Sequence, residues 1–240
     1  PTLVVVLPSP AGVGEIAVTK INLPLSLPWS FSGIIERSIF ALNFPYCSKY
    51  LSSIPNFSTD LTGQTAFVTG TTSGLGRRFA EVLAACGAKV AVAGRREDRL
   101  NELARELSAR GAEILPVPLD VTDTEALITS IDYTEKTLGP VQILVNNAGK
   151  PDAQLALKMT PEFVDEMVAT NLTSLFHLAS EVTRRLVKAE LPGRIVNISS
   201  SAAYNAGIGT SWYAITKGAV VRMTEMLALE FAKYNVNVNC

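Results

Sequence analysis

What this sequence lacks narrows it first. It holds a single histidine, His177, and three cysteines, Cys47, Cys86 and Cys240, with no Cys-x-x-Cys or His-x-x-x-His spacing among them. A zinc site needs several such ligands in close register, and a histidine-based nucleophilic triad needs a histidine set between an acid and a nucleophile, so both classes fall. An odd number of scattered thiols fits a reducing compartment, which makes the cytoplasm the expected location. An excess of charge of one sign is missing too: the formal net charge is -1 and the pI about 6.0, so no overall basic field exists to hold a polyanion, and nucleic acid is not an expected partner. No apolar stretch reaches the ~18 uninterrupted residues of a membrane span. The opening Pro1–Leu7 lacks the basic start of a secretory signal, so no membrane partner is expected either. His177 falls in a helical pattern and reads as a packed or interface residue.

What is present is the balance of one globular domain: 240 residues, 48% hydrophobic and 18% charged. Its distribution along the chain is uneven. Seven of the 13 prolines (Pro1, Pro8, Pro10, Pro24, Pro28, Pro45 and Pro55) fall in the first 60 residues, and no apolar period survives between them. Residues 1–60 therefore read as an irregular extension and residues 61–240 as the folded domain. The first methionine is Met159, inside that domain, so the native start is expected between Leu51 and Asp60 at a residue read from a non-standard start codon.

From Leu61 onward, short apolar runs alternate with amphipathic stretches. The runs predict strands at Thr65–Thr69, Lys89–Ala93, Glu113–Val117, Gln142–Asn146, Arg194–Ser199 and Val236–Asn239. Helices are predicted at 74–87, 96–110, 123–138, 161–189 with a break near Thr170–Asn171, and 211–234. Runs without alternation indicate strands buried on both faces, and helical crossovers force them parallel. The expected fold is a doubly wound α/β sheet of Rossmann type, three layers deep.

The first of these strands enters the turn Gly70-Thr-Thr-Ser-Gly74-Leu-Gly76 and then a helix. Glycines let the backbone approach a pyrophosphate closely, and the helix N-terminus offers free N–H groups to the anion. No lysine follows Gly76 and no glycine lies five positions after Gly70, so the triphosphate-binding loop is excluded. The spacing Thr-Gly-x-x-x-Gly-x-Gly instead resembles the cofactor turn of the short-chain dehydrogenase/reductase family. Two further marks follow in the right order. Asn146-Asn-Ala-Gly149 closes the fourth predicted strand, and Asp120-Val121 follows the third. The resemblance covers roughly Asp60 to Cys240 and extends to the 3-oxoacyl-carrier-protein reductase and sugar-alcohol dehydrogenase branches. It implies a nicotinamide cofactor held by Gly70, Thr72, Ser73, Gly74, Leu75, Gly76, Asp120, Val121, Asn147, Ala148 and Gly149, together with Tyr213 and Lys217.

NAD-reading folds place an acidic residue about 20 positions past the glycine turn, to accept the ribose 2′-hydroxyl. Here that place holds Gly94, followed by Arg95 and Arg96. A carboxylate would repel a 2′-phosphate, whereas a guanidinium grips it with paired charge-assisted bonds. NADP(H) is therefore expected over NAD(H); two solvated arginines opening a surface helix are the plainer explanation of the same residues.

Tyr213 and Lys217 stand four apart in a helical pattern, which places phenol and ammonium on one face. A neighbouring cation favours the phenolate and makes the tyrosine a usable general acid and base. In the family the lysine also binds the nicotinamide ribose. Ser200, in the run Ser199-Ser-Ser201, lies thirteen positions before Tyr213, where the family places the serine that orients the substrate oxygen; Ser199 and Ser201 fit that role less well. Asn171 matches the family asparagine that holds a water in the proton relay. Taken singly, the four have ordinary explanations as an exposed helical pair, a strand-end cap and a helix cap.

The sequence stops at Asn237-Val-Asn-Cys240, where the resemblance implies a substrate loop, a further helix and a last strand. A chain without them is expected to turn over weakly or not at all and to show poor solubility or an altered oligomer, whereas a homotetramer or homodimer is expected at full length. The function expected is hydride transfer between NADP(H) and a small carbonyl or alcohol substrate. An NADP(H)-sensing binding protein of the same fold is the alternative, and a non-functional gene fragment a third reading.

Overall fold

The structure, a computed structural model, describes Leu3–Pro8, Ile16–Ile21 and residues 59–240. Two units make up the chain, Pro1–Thr59 and Asp60–Cys240. In the first, β1 (Leu3–Pro8) pairs antiparallel with β2 (Ile16–Ile21), in register from Leu3 opposite Ile21 to Pro8 opposite Ile16. The sequence reading placed no regular element there. Proline was weighted too heavily: Pro8 is the last residue of β1, where a missing N–H costs little, and the Val-rich run before it favours a strand.

The second unit is a single six-stranded parallel sheet. Its strands are β3 (Thr65–Thr69), β4 (Lys89–Gly94), β5 (Ile114–Pro118), β6 (Val141–Asn146), β7 (Gly193–Asn197) and β8 (Val236–Asn239), in the order β5-β4-β3-β6-β7-β8. Every neighbouring pair is parallel. Helices α1 (Gly74–Ala85), α2 (Glu97–Ser108), α3 (Thr124–Leu138), α4 (Pro161–Val168), α5 (Ser174–Ala189) and α6 (Ser211–Phe231) make the crossovers. The fold is the doubly wound α/β sheet expected, with element ends displaced by at most three residues.

Alternation along the central strands sorts side chains into two cores. Ala66, Val68, Val90, Val92, Ile143 and Val145 face α1 and α2, meeting Ala80, Leu100, Leu103 and Leu107. Phe67, Ala91, Ala93, Leu144 and Ile195 face the other way, against Leu127 and Ile131 of α3, Leu178, Val182 and Leu186 of α5 and Leu227 of α6. Each large side chain buried fully in these layers stabilises the fold by about 1.5–3 kcal/mol. Burial on both faces holds for β3, β4 and β6 and fails at β7 and β8. There Ile195, Val236 and Val238 are buried, while Arg194 and Val196, the latter 36% exposed, look away from α6 with no helix over them among the described residues. The Val-Asn-Val-Asn alternation of β8 is the pattern of a half-covered strand.

The expected break near Thr170–Asn171 is no break. Residues Ala169–Thr173 form one widened π-turn that joins α4 to α5 without loss of helical backbone. Such an extra residue in a helix is held by side-chain contacts, and Asn171 supplies them.

Candidate active site

The strand order reverses between β3 and β6, which leaves a crevice at their carboxyl ends. Thr69, the last residue of β3, closes its floor. Its hydroxyl accepts hydrogen bonds from the Asn147 N–H at 3.0 Å and the Ala148 N–H at 2.9 Å, and donates to the Val145 carbonyl at 3.4 Å. From the other side, Asn147 Nδ2 donates to the carbonyls of Thr69 at 2.9 Å and Gly70 at 3.1 Å. The Asn147–Gly149 segment and the glycine turn are thus one hydrogen-bonded unit. Thr69 itself was not singled out from the sequence, although a hydroxyl residue directly before the first glycine was the available signal.

Gly70 and Gly74 both take left-handed backbone, at φ +71° and +57°. Gly76 lies so close under the turn that a Cβ on it would fall 2.2 Å from the Gly70 oxygen and 2.4 Å from Asn147 Nδ2. Ser73 caps α1 in extended conformation without a side-chain hydrogen bond to the helix, so the first amides of α1 keep their donors. Around a Cβ placed on Gly74 there is open space to 4 Å, and Leu75 beside it is half exposed. An uncapped helix start facing open space is a receptor for an anion.

Arg96 lies across this turn and donates to the hydroxyls of Thr72 and Ser73. Arg95 is exposed beside Asp120. The Thr122 N–H at 3.0 Å, with the Thr122 hydroxyl and the Arg95 charge, holds the Asp120 carboxyl below the usual carboxylate range against its partial burial. Val121 sends its side chain into the core, which leaves only its main chain for contact with a ligand.

The second cluster sits where α6 begins. Tyr213 is in the first turn, and Lys217 one turn later places Nζ 5.9 Å from the centre of the Tyr213 ring. Lys217 is only 4% exposed, has no carboxylate partner among the described residues, and donates from Nζ to the Ile198 carbonyl at 2.8 Å. Asn171 is wholly buried: Oδ1 accepts from the Lys150 N–H at 2.7 Å, and Nδ2 donates to the Lys150 carbonyl at 3.2 Å and the Thr216 hydroxyl at 3.3 Å. Gly149 backs onto both groups, for a Cβ there would lie 3.3 Å from Asn171 Oδ1 and 3.4 Å from Lys217 Nζ. The three serines separate by what their hydroxyls do. Ser199 donates to the Lys217 carbonyl at 2.9 Å, Ser201 is exposed, and Ser200 accepts the Ala202 N–H at 3.2 Å, which leaves its own proton available. The Tyr213 hydroxyl has no hydrogen-bond partner among the described residues.

Beneath this cluster runs a buried polar chain that the sequence reading did not identify. Asn146 Nδ2 donates to the Asn197 side-chain oxygen at 2.8 Å, Asn197 Nδ2 to the Thr224 hydroxyl at 3.0 Å, and Thr224 to the Val220 carbonyl at 2.7 Å. It ties β6, β7 and α6 together behind the site. His177, expected to be packed or at an interface, is exposed on α5, with its ring edge-to-face against Phe176 at 6.2 Å. No group of three metal-ligating residues and no helix long and apolar enough to cross a membrane occurs among the described residues.

Burial pushes the Lys217 ammonium below its ordinary 10.5. The unfolded chain therefore binds the extra proton between the lowered value and 10.5, and native stability rises with pH through that window. The cost of the buried charge is present in full below the lowered value. Comparing urea unfolding of the native chain and Lys217→Met at pH 7 and pH 10 should give a stability difference that moves in favour of the native chain as pH rises. A difference independent of pH would show that the buried amine carries no such cost.

Comparison with known proteins agrees on one family. Residues 64–240 match the short chain dehydrogenase family. Over 179 residues the chain is 36% identical to L-xylulose reductase of Mus musculus, covering 75% of this chain and 70% of that protein. Among solved structures it resembles 7α-hydroxysteroid dehydrogenase complexed with NADH and 7-oxo glycochenodeoxycholic acid, with TM-score 0.72 and 30% identity over 75% of this chain and 69% of that one. It also resembles a single-substitution variant of actinorhodin polyketide ketoreductase with NADPH, with TM-score 0.71 and 32% identity over 73% of this chain and 68% of that one.

Proposed function

This chain belongs to the short-chain dehydrogenase/reductase family, and on that footing we propose that it moves a hydride between NADP(H) and a carbonyl or secondary alcohol, with Tyr213 as general acid and base. The observation that carries the reading is the Tyr213–Lys217 pair: a buried ammonium without a carboxylate partner among the described residues, 5.9 Å from the ring of a phenol whose hydroxyl is free. A non-catalytic sensor needs neither.

The residues present fit a dinucleotide, because the uncapped start of α1 and the open space at Gly74 suit a pyrophosphate. When bound, the nicotinamide supplies or accepts the hydride. The protein does the rest. Ser200 donates a hydrogen bond to the substrate oxygen and stabilises the negative charge that grows there, an effect worth about 10²–10³ in rate. As hydride reaches the carbonyl carbon, the Tyr213 O–H gives its proton to that oxygen, and the Lys217 ammonium stabilises the phenolate left behind. Asn171, fixed at both ends of its amide, would hold a water through which Tyr213 and Lys217 are reprotonated. Oxidation of the alcohol runs the same steps backwards.

Arg95 and Arg96 support NADP(H) over NAD(H), since Arg96 already lies across the turn and position 94 carries no carboxylate. Fluorescence titration of the 240-residue chain should give NADPH an affinity at least about tenfold above that of NADH, the worth of one or two charge-assisted hydrogen bonds. NADPH absorbance followed with the full-length protein across a panel of ketones and 3-oxoacyl thioesters should then fall with at least one of them. Tighter binding of NADH would overturn the cofactor reading, and binding without any consumption would overturn the catalytic one.

A further inference from the structure

Gly94 ends β4, is buried, and faces the glycine turn. A Cβ built on it would stand 3.1 Å from Thr72 Cγ2 and 3.7 Å from Leu100 Cδ2. The second distance is ordinary van der Waals contact. The first is tight enough that the Thr72 methyl would have to move. The other branch of Thr72 is occupied as well, because its Oγ1 accepts a hydrogen bond from Arg96 Nη2. Thr72 is β-branched and stiff at χ1, so one rotamer serves both contacts and a shift of the methyl disturbs the hydroxyl. Position 94 is where a carboxylate would reach a ribose 2′-hydroxyl and repel a 2′-phosphate.

We infer that Thr72 is a cofactor-specificity residue: its methyl keeps position 94 free of any side chain, and its hydroxyl docks Arg96 where a 2′-phosphate would lie. This rests on the NADP(H) reading above for its ligand, and adds that Thr72, Gly94 and Arg96 act as one unit. Changing Gly94 alone cannot then convert the site to NAD(H).

The test uses the full chain and two probes, NADPH and NADH, titrated by fluorescence against the variants, with the melting midpoint of each recorded. Thr72→Val keeps the methyl and loses the hydroxyl; it should weaken NADPH by about fivefold more than it weakens NADH, the worth of one net hydrogen bond. Gly94→Asp should lose the NADPH preference yet gain little for NADH. Adding Thr72→Ser, which removes the methyl and keeps the hydroxyl, should tighten NADH about tenfold over Gly94→Asp alone, the coupling expected of residues in contact. Equal NADH affinity of the single and double variants, in a protein whose native chain prefers NADPH, overturns the inference and leaves the proposed function standing. A native chain that prefers NADH removes the reading beneath it, and the first titration shows which has failed. Should Gly94→Asp not fold, Gly94→Ala with and without Thr72→Ser decides by melting: a loss of midpoint that Thr72→Ser restores supports the steric contact, and no loss overturns it.

Discussion

Tyr213→Phe is expected to lower hydride transfer by about 10³-fold or more while leaving NADPH affinity within about twofold, the split that marks a group used only in the transition state. The substitution deletes one oxygen and keeps the ring. That ring is half-buried in the first turn of α6, and its hydroxyl makes no hydrogen bond among the described residues, so no partner there is orphaned and the fold should be unaffected. The proposed pyrophosphate cradle is built from other elements, the β3–α1 turn and Asn147, which is why affinity should survive. Single-turnover absorbance decay with a reactive ketone, beside a fluorescence titration, reads both quantities. A variant that retains its rate would remove Tyr213 from the chemistry. Parallel loss of rate and affinity would make it a structural residue instead.

Gly76→Ala should have the largest effect on binding. The added methyl would be 2.2 Å from the Gly70 carbonyl oxygen and 2.4 Å from Asn147 Nδ2, and neither can yield alone. The carbonyl belongs to a left-handed glycine fixed by a hydrogen bond to Ala93, and Asn147 is tied to Thr69. Relief therefore requires α1 to move off the sheet or Asn147 to release the turn. We expect a loss of about 2–4 kcal/mol in stability, at or above the range of an overpacked core, and a fall of about 100-fold or more in NADPH affinity. Gly74→Ala is the control for stability alone. It meets no protein atom within 4 Å, and its cost to the fold is confined to the φ of +57°, about 1–2 kcal/mol. Melting curves on both variants and an NADPH titration of Gly76→Ala check the expectation. A Gly76→Ala protein with native affinity would show that the turn geometry does not set the cofactor site.

Much of this was readable in advance because the family resemblance rests on residues with irreplaceable backbone or chemical roles. Gly70, Gly74 and Gly76 mark themselves by being glycine in a fixed spacing, and Tyr213 with Lys217 by helical phase. What the sequence hid is of a different kind. Thr69, Asn197, Thr224 and the Ile198 carbonyl act through partners that lie far away in the chain and near in space, and their residue types are common. Asn146 did carry a signal, as a polar residue at the end of a buried apolar strand. Asn171 was placed correctly beside an irregularity, yet a local pattern cannot distinguish a break from a π-turn, since the distinction lies in whether its amide finds Lys150 and Thr216. The open face of β7 and β8 was overlooked because three central strands without alternation were taken to speak for all six.

The uncapped start of α1, Arg95, Arg96 and Lys217, which has no carboxylate partner among the described residues, gather positive charge in a chain whose net charge is -1, with Asp120 beside Arg95 as the acid among them. Such a grouping would draw an approaching polyphosphate over the ~8 Å reach that physiological salt allows. That pull would come from where these few groups stand and not from the net charge of the chain.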